Sequence, residues 1–198
     1  MDYFRFEEYL NKGILALDDE FEKVYARRHK WEMFLPENYE KIRANMDKQG
    51  IKPDVVDIGC GAGFGSEYFS DGSYIGVDKR HPHIGFGGSA AKLGDKFFNE
   101  GKKNVSYIID GFPSETVGKI LKKRTLISSM SLSAYGESNK TYESYCNCMA
   151  NADNLYVCGA PRFSKFVNDF FGGSEQIGEH IEGDIESAVA CPIIYVKV

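Results

Sequence analysis

Four glycines alternate with other residues directly after a short apolar stretch, at positions 59, 61, 63 and 65. Backbone that carries no Cβ atom can turn sharply and lets a ligand approach closely. A second apolar stretch, residues 74–78, ends in Asp78, about 20 residues after the first glycines, which is the spacing that lets an acidic side chain on a neighbouring strand accept hydrogen bonds from a ribose diol. The two features together predict a site for a ligand that contains a nucleoside.

The spacing of the glycines argues against a dinucleotide. A dinucleotide-binding loop reads G-x-G-x-x-G, but the third glycine position falls on Phe64 when counted from Gly59 and on Ser66 when counted from Gly61. A nicotinamide-dependent oxidoreductase is therefore disfavoured.

The run from Asp57 to Gly63 resembles motif I of the class I S-adenosylmethionine-dependent methyltransferases, an acidic residue followed by alternating glycines at the end of the first strand. The resemblance implies that Asp57 orients the ammonium group of S-adenosylmethionine, directly or through water, and that Asp78 accepts its ribose hydroxyls. It also implies that Asp110 meets the adenine amino group. The cofactor-binding residues that we expect are Asp57, Gly59, Cys60, Gly61, Gly63, Asp78, Lys79, Asp110, Gly111, Phe112 and Ser129.

The elements that must position these residues alternate between strands and helices. Apolar stretches predict strands over residues 54–58, 74–78, 104–109, 125–130, 154–159, 176–182 and 189–197. Helices are predicted over residues 64–70, 87–100, 114–123, 138–151 and 162–171. This order predicts an α/β fold with a Rossmann-like, mostly parallel, seven-stranded sheet and helices on both faces.

Both ends of the chain depart from the alternation. The last two predicted strands are joined by the polar segment EGDIES and form an antiparallel hairpin at one sheet edge, similar to the end of the seven-stranded methyltransferase core. Residues 2–49 are rich in helix formers, so two or three helices are expected there. We therefore divide the chain into a helical N-terminal extension or lid, residues 1–50, and a methyltransferase domain, residues 51–198.

Ligands of such sheets bind outside the carboxyl ends of the strands. The loop after the fourth strand lies there and reads Ser129, Met130, Ser131, Leu132. It lacks the acidic or Asn residue with prolines and an aromatic residue typical of methyltransferases that act on exocyclic amino groups of bases. It also lacks the aspartate typical of ribose 2′-hydroxyl methyltransferases. By contrast, the basic run at 122–124 precedes the fourth strand, and we expect it at the opposite end of the sheet.

Methyl transfer from a sulfonium is an in-line displacement, so positioning of the nucleophile supplies much of the acceleration without a strong base. Ser131 and Tyr135 are candidates for orienting the acceptor, although Tyr135 could equally pack on the sheet edge. Tyr25 and Trp31 could enclose a substrate, unless their segment is an amphipathic helix packed on the sheet. The substrate-binding candidates are Tyr25, Lys30, Trp31, Tyr135 and Arg162.

A net charge of −5 disfavours binding to nucleic acid through many contacts between basic residues and phosphates. We expect transfer to an O or N nucleophile on a small molecule, with RNA, including a cap structure, as the alternative acceptor. A non-catalytic subunit with a methyltransferase-like fold also stays open. The oligomeric state is not predicted.

The chain has no leader pattern and no apolar run of membrane-spanning length, so we expect a cytoplasmic protein that does not enter a membrane. Its five cysteines lack paired C-x-x-C elements, which favours reduced thiols over disulfides or zinc. His81 and His83 are assigned to a solvated loop, and no metal is expected.

Overall fold

The computed structural model describes residues 36–60, 65–69, 71–78, 104–129, 131–132, 138–182 and 189–198. Its strands are β1 (Asp54–Ile58), β2 (Ser73–Asp78), β3 (Val105–Ile109), β4 (Thr125–Ser129), β5 (Asn154–Cys158), β6 (Glu175–Glu182) and β7 (Val189–Lys197). Its helices are α1 (Pro36–Gln49), α2 (Ser66–Phe69), α3 (Glu115–Ile120), α4 (Asn139–Met149) and α5 (Pro161–Phe171). All seven predicted strands are confirmed, with ends that differ by at most one residue.

Four of the five helices predicted after the first strand are also confirmed, and the one predicted over residues 87–100 lies outside the described residues. Helix α3 ends earlier than predicted, because Lys123 has a left-handed φ of 63° that a helix cannot contain. Of the helices expected over residues 2–49, α1 lies within the described residues.

The seven strands form one sheet in the order β3-β2-β1-β4-β5-β7-β6. Strands β1 to β5 pair in parallel, and β7 is antiparallel to both β5 and β6. The predicted mostly parallel sheet with a C-terminal antiparallel hairpin is therefore confirmed. The strand order reverses between β1 and β4, and such a switch point is where open parallel sheets bind their ligands.

Both faces of the sheet are covered, as a buried parallel sheet requires. Successive side chains of a strand point to opposite faces, so Val55 and Ile127 pack in one core layer while Val56 and Leu126 pack in the other. Helices α1 and α2 contribute to the first layer, and α3, α4 and α5 contribute to the second.

Helix α1 is fixed on both of its sides. Tyr39, Ile42 and Met46 have helical spacing and are buried in the first core layer. On another side, the Arg43 guanidinium donates to the carbonyl of Tyr68 and to both carboxylate oxygens of Asp71. The helix is thereby attached to the chain that follows the glycine loop.

The helix ends follow from local sequence. The hydroxyls of Ser114 and Ser138 accept backbone hydrogen bonds at the beginnings of α3 and α4. Helix α5 begins at Pro161 and ends at Phe171, and the cap residue Gly172 has a φ of 77° that suits glycine. In the described parts of the chain, no helix is both long and apolar enough to cross a membrane.

Candidate functional site

The carboxyl ends of β1, β2 and β3 lie side by side at one sheet edge. The Gly59 N–H donates to the Val77 carbonyl at 2.8 Å, and the Asp110 N–H donates to the Asp78 carbonyl at 3.0 Å. Asp57 is the penultimate residue of β1, Asp78 is the last residue of β2, and Asp110 directly follows β3. The structure thus brings the three predicted acidic residues to neighbouring strand ends.

The turn after β1 needs glycine at position 59 for two reasons. Its φ is +69°, and a Cβ atom there would lie 2.1 Å from the Cβ of Ser131. The Ser131 hydroxyl donates to the Ile58 carbonyl and lies 2.9 Å from the Ser128 hydroxyl. Ser131, a candidate for orienting the acceptor, therefore joins the loops that follow β1 and β4 at the switch point.

Asp57 is fully buried and accepts two hydrogen bonds from phenols. The hydroxyls of Tyr39 and Tyr74 donate to its Oδ2 atom at 2.9 Å and 2.7 Å. Burial raises the pKa of Asp57 to about 7, although the two tyrosine hydrogen bonds act to lower it. Among the described residues, none donates a hydrogen bond to the Oδ1 atom.

Neighbouring elements leave room for this arrangement. Asp57 pairs in register with Gly76, so no side chain on β2 stands directly opposite it, and Tyr74 lies two residues earlier on the same strand face. A Cβ atom at Gly65 would lie 2.7 Å from Asp57 Oδ2 and 3.0 Å from the Tyr39 ring. The fourth glycine of the alternating run therefore allows the backbone to pack against the carboxylate.

Cys60 lies in the same electronegative region. Burial, and then the carboxylates of Asp57 and Asp78, hold the pKa of its thiol well above the usual range. The thiol is therefore protonated at neutral pH and is a poor nucleophile. All five cysteines fall within the described residues, and each is a buried thiol outside any disulfide.

The Asp110 carboxylate organises its own loop. Its two oxygens accept hydrogen bonds from the Gly111 N–H and the Ser114 hydroxyl, both at 2.7 Å. Gly111 is one of the expected cofactor-binding residues, and its N–H is thus used within the loop. Each carboxylate oxygen can accept a further hydrogen bond, so the carboxylate keeps capacity for a ligand.

The first turn of α1 lies over the ends of β4 and β5. The Asn38 amide, which is buried, donates to the Ser129 hydroxyl at 3.1 Å and to the Cys158 sulfur at 3.6 Å. The sequence did not predict that Asn38, Tyr39 and Tyr74 donate hydrogen bonds to residues at this edge. For Tyr74 a signal was present, because it belongs to the strand that ends in Asp78.

Two other candidates contact neighbouring helices. The Phe112 ring lies 5.6 Å from that of Tyr145, measured between centroids. Arg162 is exposed, donates to the Asn139 side chain at 2.9 Å and lies over the Tyr142 ring. The basic run at 122–124 directly precedes β4 and so lies at the opposite end of the sheet from the site.

Several predicted residues cannot be placed because they lie outside the described residues. They are Tyr25, Lys30, Trp31, Gly61, Gly63, Lys79, His81, His83 and Tyr135.

We expect Asp57 to make the protein less stable as the pH rises from about 4 to about 7. Its pKa is raised from 3.8 to about 7 in the folded state, so the folded protein holds one more proton than the unfolded chain between these values. The stabilisation is present at low pH and is lost by about 1.4 kcal/mol per pH unit across the window. Urea unfolding of the wild type and of Asp57→Asn at pH 5 and pH 6 measures this, because the asparagine cannot titrate. Equal pH slopes in the two proteins would contradict it.

No family model matches this chain, and no curated protein matches it in sequence. Solved structures do match. Magnesium protoporphyrin IX methyltransferase (ChlM) from Synechocystis PCC 6803 with bound SAM has a TM-score of 0.62 and 15% identity over 96% of this chain and 94% of that chain. The N-terminal domain of EvdMO1 with SAH bound has a TM-score of 0.64 and 10% identity over 100% and 98%.

A third solved structure extends the same pattern. The methyltransferase domain of bacterial CtHen1 has a TM-score of 0.55 and 13% identity over 83% of this chain and all of that domain. Likeness at such low identity concerns the fold. The chain therefore has the class I, seven-stranded fold of S-adenosylmethionine-dependent methyltransferases, as the resemblance of its motif predicted.

Proposed function

We propose that this chain is an S-adenosylmethionine-dependent methyltransferase. One observation carries the proposal: the switch point of a methyltransferase fold holds a buried carboxylate, Asp57, beside a second one, Asp78, and one Asp57 oxygen has no donor among the described residues. Buried polar atoms seldom stay without a partner, so this edge suits a ligand that donates hydrogen bonds and carries positive charge.

The residues present fit S-adenosylmethionine. Two buried oxygens without a partner in the described parts, Asp57 Oδ1 and Ser66 Oγ, lie on either side of the glycine loop in sequence. The cofactor carries an ammonium group, a sulfonium group and ribose hydroxyls, all of which suit such acceptors. A dinucleotide would instead bring an anionic pyrophosphate towards two carboxylates, which electrostatics disfavours.

The assigned roles follow the positions of the residues. Asp57 binds the ammonium group, Asp78 binds the ribose diol, and Asp110 binds the adenine amino group beside Phe112. Bound S-adenosylmethionine supplies a methyl group on a sulfonium centre. The remaining residues that we assign to the cofactor are Gly59, Cys60, Gly61, Gly63, Lys79, Gly111 and Ser129.

The acceptor side of the edge contributes by positioning. The hydroxyls of Ser129 and Ser131 are both hydrogen-bonded within the protein, and the Cys60 thiol is held protonated. We therefore assign catalysis to alignment of an O or N nucleophile, with Tyr135 as an orienting residue and Tyr25, Lys30, Trp31 and Arg162 around the substrate.

A small molecule is the proposed acceptor, since the net charge of −5 opposes extended contact with RNA phosphates. Magnesium protoporphyrin IX methyltransferase, which has the same fold, is named for a small-molecule substrate. We also propose a cytoplasmic location, because five buried thiols outside any disulfide suit a reducing compartment.

The activity is tested with S-adenosylmethionine labelled on its methyl group and a cell extract separated into small molecules, RNA and protein. The wild type should label the small-molecule fraction, and Asp78→Ala should label it more slowly. Label in RNA alone would move the proposal to an RNA acceptor. Cofactor binding without label in any fraction would support a non-catalytic subunit, and absence of cofactor binding would overturn the proposal.

Asp78→Ala is expected to weaken cofactor binding by about 10- to 150-fold. The variant removes at least one hydrogen bond to a charged group, which contributes roughly 1.5–3 kcal/mol. Calorimetric titration measures the change. Asp169→Ala is the matched control, because Asp169 is an exposed carboxylate paired with Lys165 on α5, and this variant should bind as the wild type does. Unchanged affinity in Asp78→Ala would remove the assigned role.

A further inference from the structure

Two buried tyrosines hold one oxygen of the carboxylate assigned to the cofactor. Tyr39 reaches Asp57 Oδ2 from α1 and Tyr74 reaches the same atom from β2, and their residues are only 7% and 0% exposed. Two donors on one oxygen from different elements set the rotation of the carboxylate group. Oδ1 is then held in one direction, and no described residue donates to it.

Gly65 gives a second, independent sign that this arrangement is built tightly. Beside the tyrosine pair (Tyr39 and Tyr74), a Cβ atom at position 65 would lie 2.7 Å from Asp57 Oδ2 and 3.0 Å from the Tyr39 ring. Real Cβ atoms are not found so close to other atoms, so an alanine there must push on the carboxylate or on Tyr39. The last glycine of the run is therefore required by packing against the carboxylate.

The charge around Asp57 favours a cation as the missing partner of Oδ1. Asp78 lies close enough to raise the pKa of Asp57 further, and both carboxylates act on the Cys60 thiol. Two like charges at neighbouring strand ends repel each other, and a cation that binds between them relieves this repulsion. The ammonium group of a bound cofactor would do so.

Resting on the proposed function, we infer that Tyr39 and Tyr74 are positioning residues of the cofactor site, which fix one oxygen of Asp57 so that the other is held for the cofactor's ammonium group. Helix α1 then builds part of the cofactor site through Tyr39. This lies within the segment that the sequence assigns to the N-terminal extension.

The tyrosine pair also sets the pH range in which Asp57 can bind a cation. Three groups act on this carboxyl, Tyr39 from α1 and Tyr74 and Asp78 from β2, and the carboxyl in turn acts on the Cys60 thiol after β1. Burial raises the pKa of Asp57 to about 7, while the tyrosine hydrogen bonds lower it. Without one hydroxyl, a larger share of Asp57 is protonated at neutral pH and cannot pair with an ammonium group.

The test is calorimetric titration with S-adenosylhomocysteine, which keeps the ammonium group, at pH values from about 6 to about 8.5. Wild-type affinity should fall as the pH is lowered through about 7, approaching tenfold per pH unit. Tyr74→Phe should bind about fivefold more weakly at pH 7, because its pH profile should move upwards by about one pH unit. Tyr39→Phe should behave in the same way.

Tyr156→Phe is the matched control. Tyr156 on β5 is also fully buried, and its hydroxyl donates to the Asn45 side chain on α1 at 2.9 Å and not to Asp57. This variant also loses a buried phenol hydrogen bond. Because that bond is not made to Asp57, its pH profile should remain that of the wild type. An equal upward shift in all three variants would show a general structural effect and overturn the inference.

Two further outcomes separate this inference from the proposed function. Suppose that the wild type binds S-adenosylhomocysteine, and that Tyr39→Phe and Tyr74→Phe both keep the wild-type affinity and pH profile. The inference then fails while the proposed function stands. If the wild type does not bind the ligand, the proposed function fails first. A ligand-free carbon-13 titration of the Asp57 carboxyl should show its pKa rise in Tyr74→Phe, and an unchanged pKa would also overturn the inference.

Discussion

Gly59→Ala is expected to destabilise the fold by about 2–5 kcal/mol, measured by urea unfolding. Left-handed backbone costs an alanine about 1–2 kcal/mol, and the φ of Gly59 is +69°. Insertion of a methyl group into a packed site adds about 1–3 kcal/mol, since the new Cβ would lie 2.1 Å from that of Ser131. The same displacement should disturb the loop that binds the cofactor.

A double-mutant cycle separates the two causes. Ser131→Gly removes the atoms that Gly59→Ala meets, so the pair should show a favourable coupling of about 1–3 kcal/mol while the backbone cost remains. Gly118→Ala in α3 is the control glycine, because its Cβ would lie 3.6 Å from the nearest atom. If Gly59→Ala were as stable as Gly118→Ala, the close packing of the two loops would be disproved.

Asp57→Ala is expected to cost about 2–6 kcal/mol of unfolding free energy at pH 5. The substitution leaves two buried phenol hydroxyls, those of Tyr39 and Tyr74, without their acceptor, at about 1–3 kcal/mol each. At pH 5 most Asp57 is protonated, because its pKa is about 7, so relief of a buried charge does not mask the loss. Urea unfolding at this pH measures the effect.

Two companion variants test that explanation. Asp57→Asn keeps an acceptor oxygen on a side chain of similar size, so it should lose clearly less stability than Asp57→Ala. The triple variant Asp57→Ala, Tyr39→Phe, Tyr74→Phe removes the orphaned hydroxyls and should regain part of the loss, since deletion of both partners costs less than deletion of one. If asparagine and alanine were equally costly at position 57, the hydroxyls would not depend on this acceptor.

The strands and the positions of the acidic residues could be predicted from the sequence for a simple reason. Strands buried on both faces appear as short apolar runs, and helices between them require a parallel sheet. Parallel strands end at one edge, so Asp57, Asp78 and Asp110 had to come near each other once their strands were identified. Each of these steps uses residues that are close together in the chain.

The contacts made by α1 could not be predicted in this way, because they join distant parts of the chain. Asn38 reaches Ser129 across 91 positions, and the helical pattern of α1 shows which side is buried without showing what it meets. The glycines show the same limit. Their alternation indicated a ligand. In the structure, however, Gly59 is required by close packing against Ser131, and Gly65 by close packing against Asp57 and Tyr39.

The place of β7 between β5 and β6 has a consequence for how the protein matures during translation. In the sheet order, β6 has β7 as its neighbour, and β7 is the later of the two to be synthesised. Until β7 (residues 189–197) has left the ribosome, β6 has no strand to join, and the unpaired side of β5 is a template for incorrect pairing. This one nine-residue strand completes both pairings, so we expect β6 and β7 to join the sheet together.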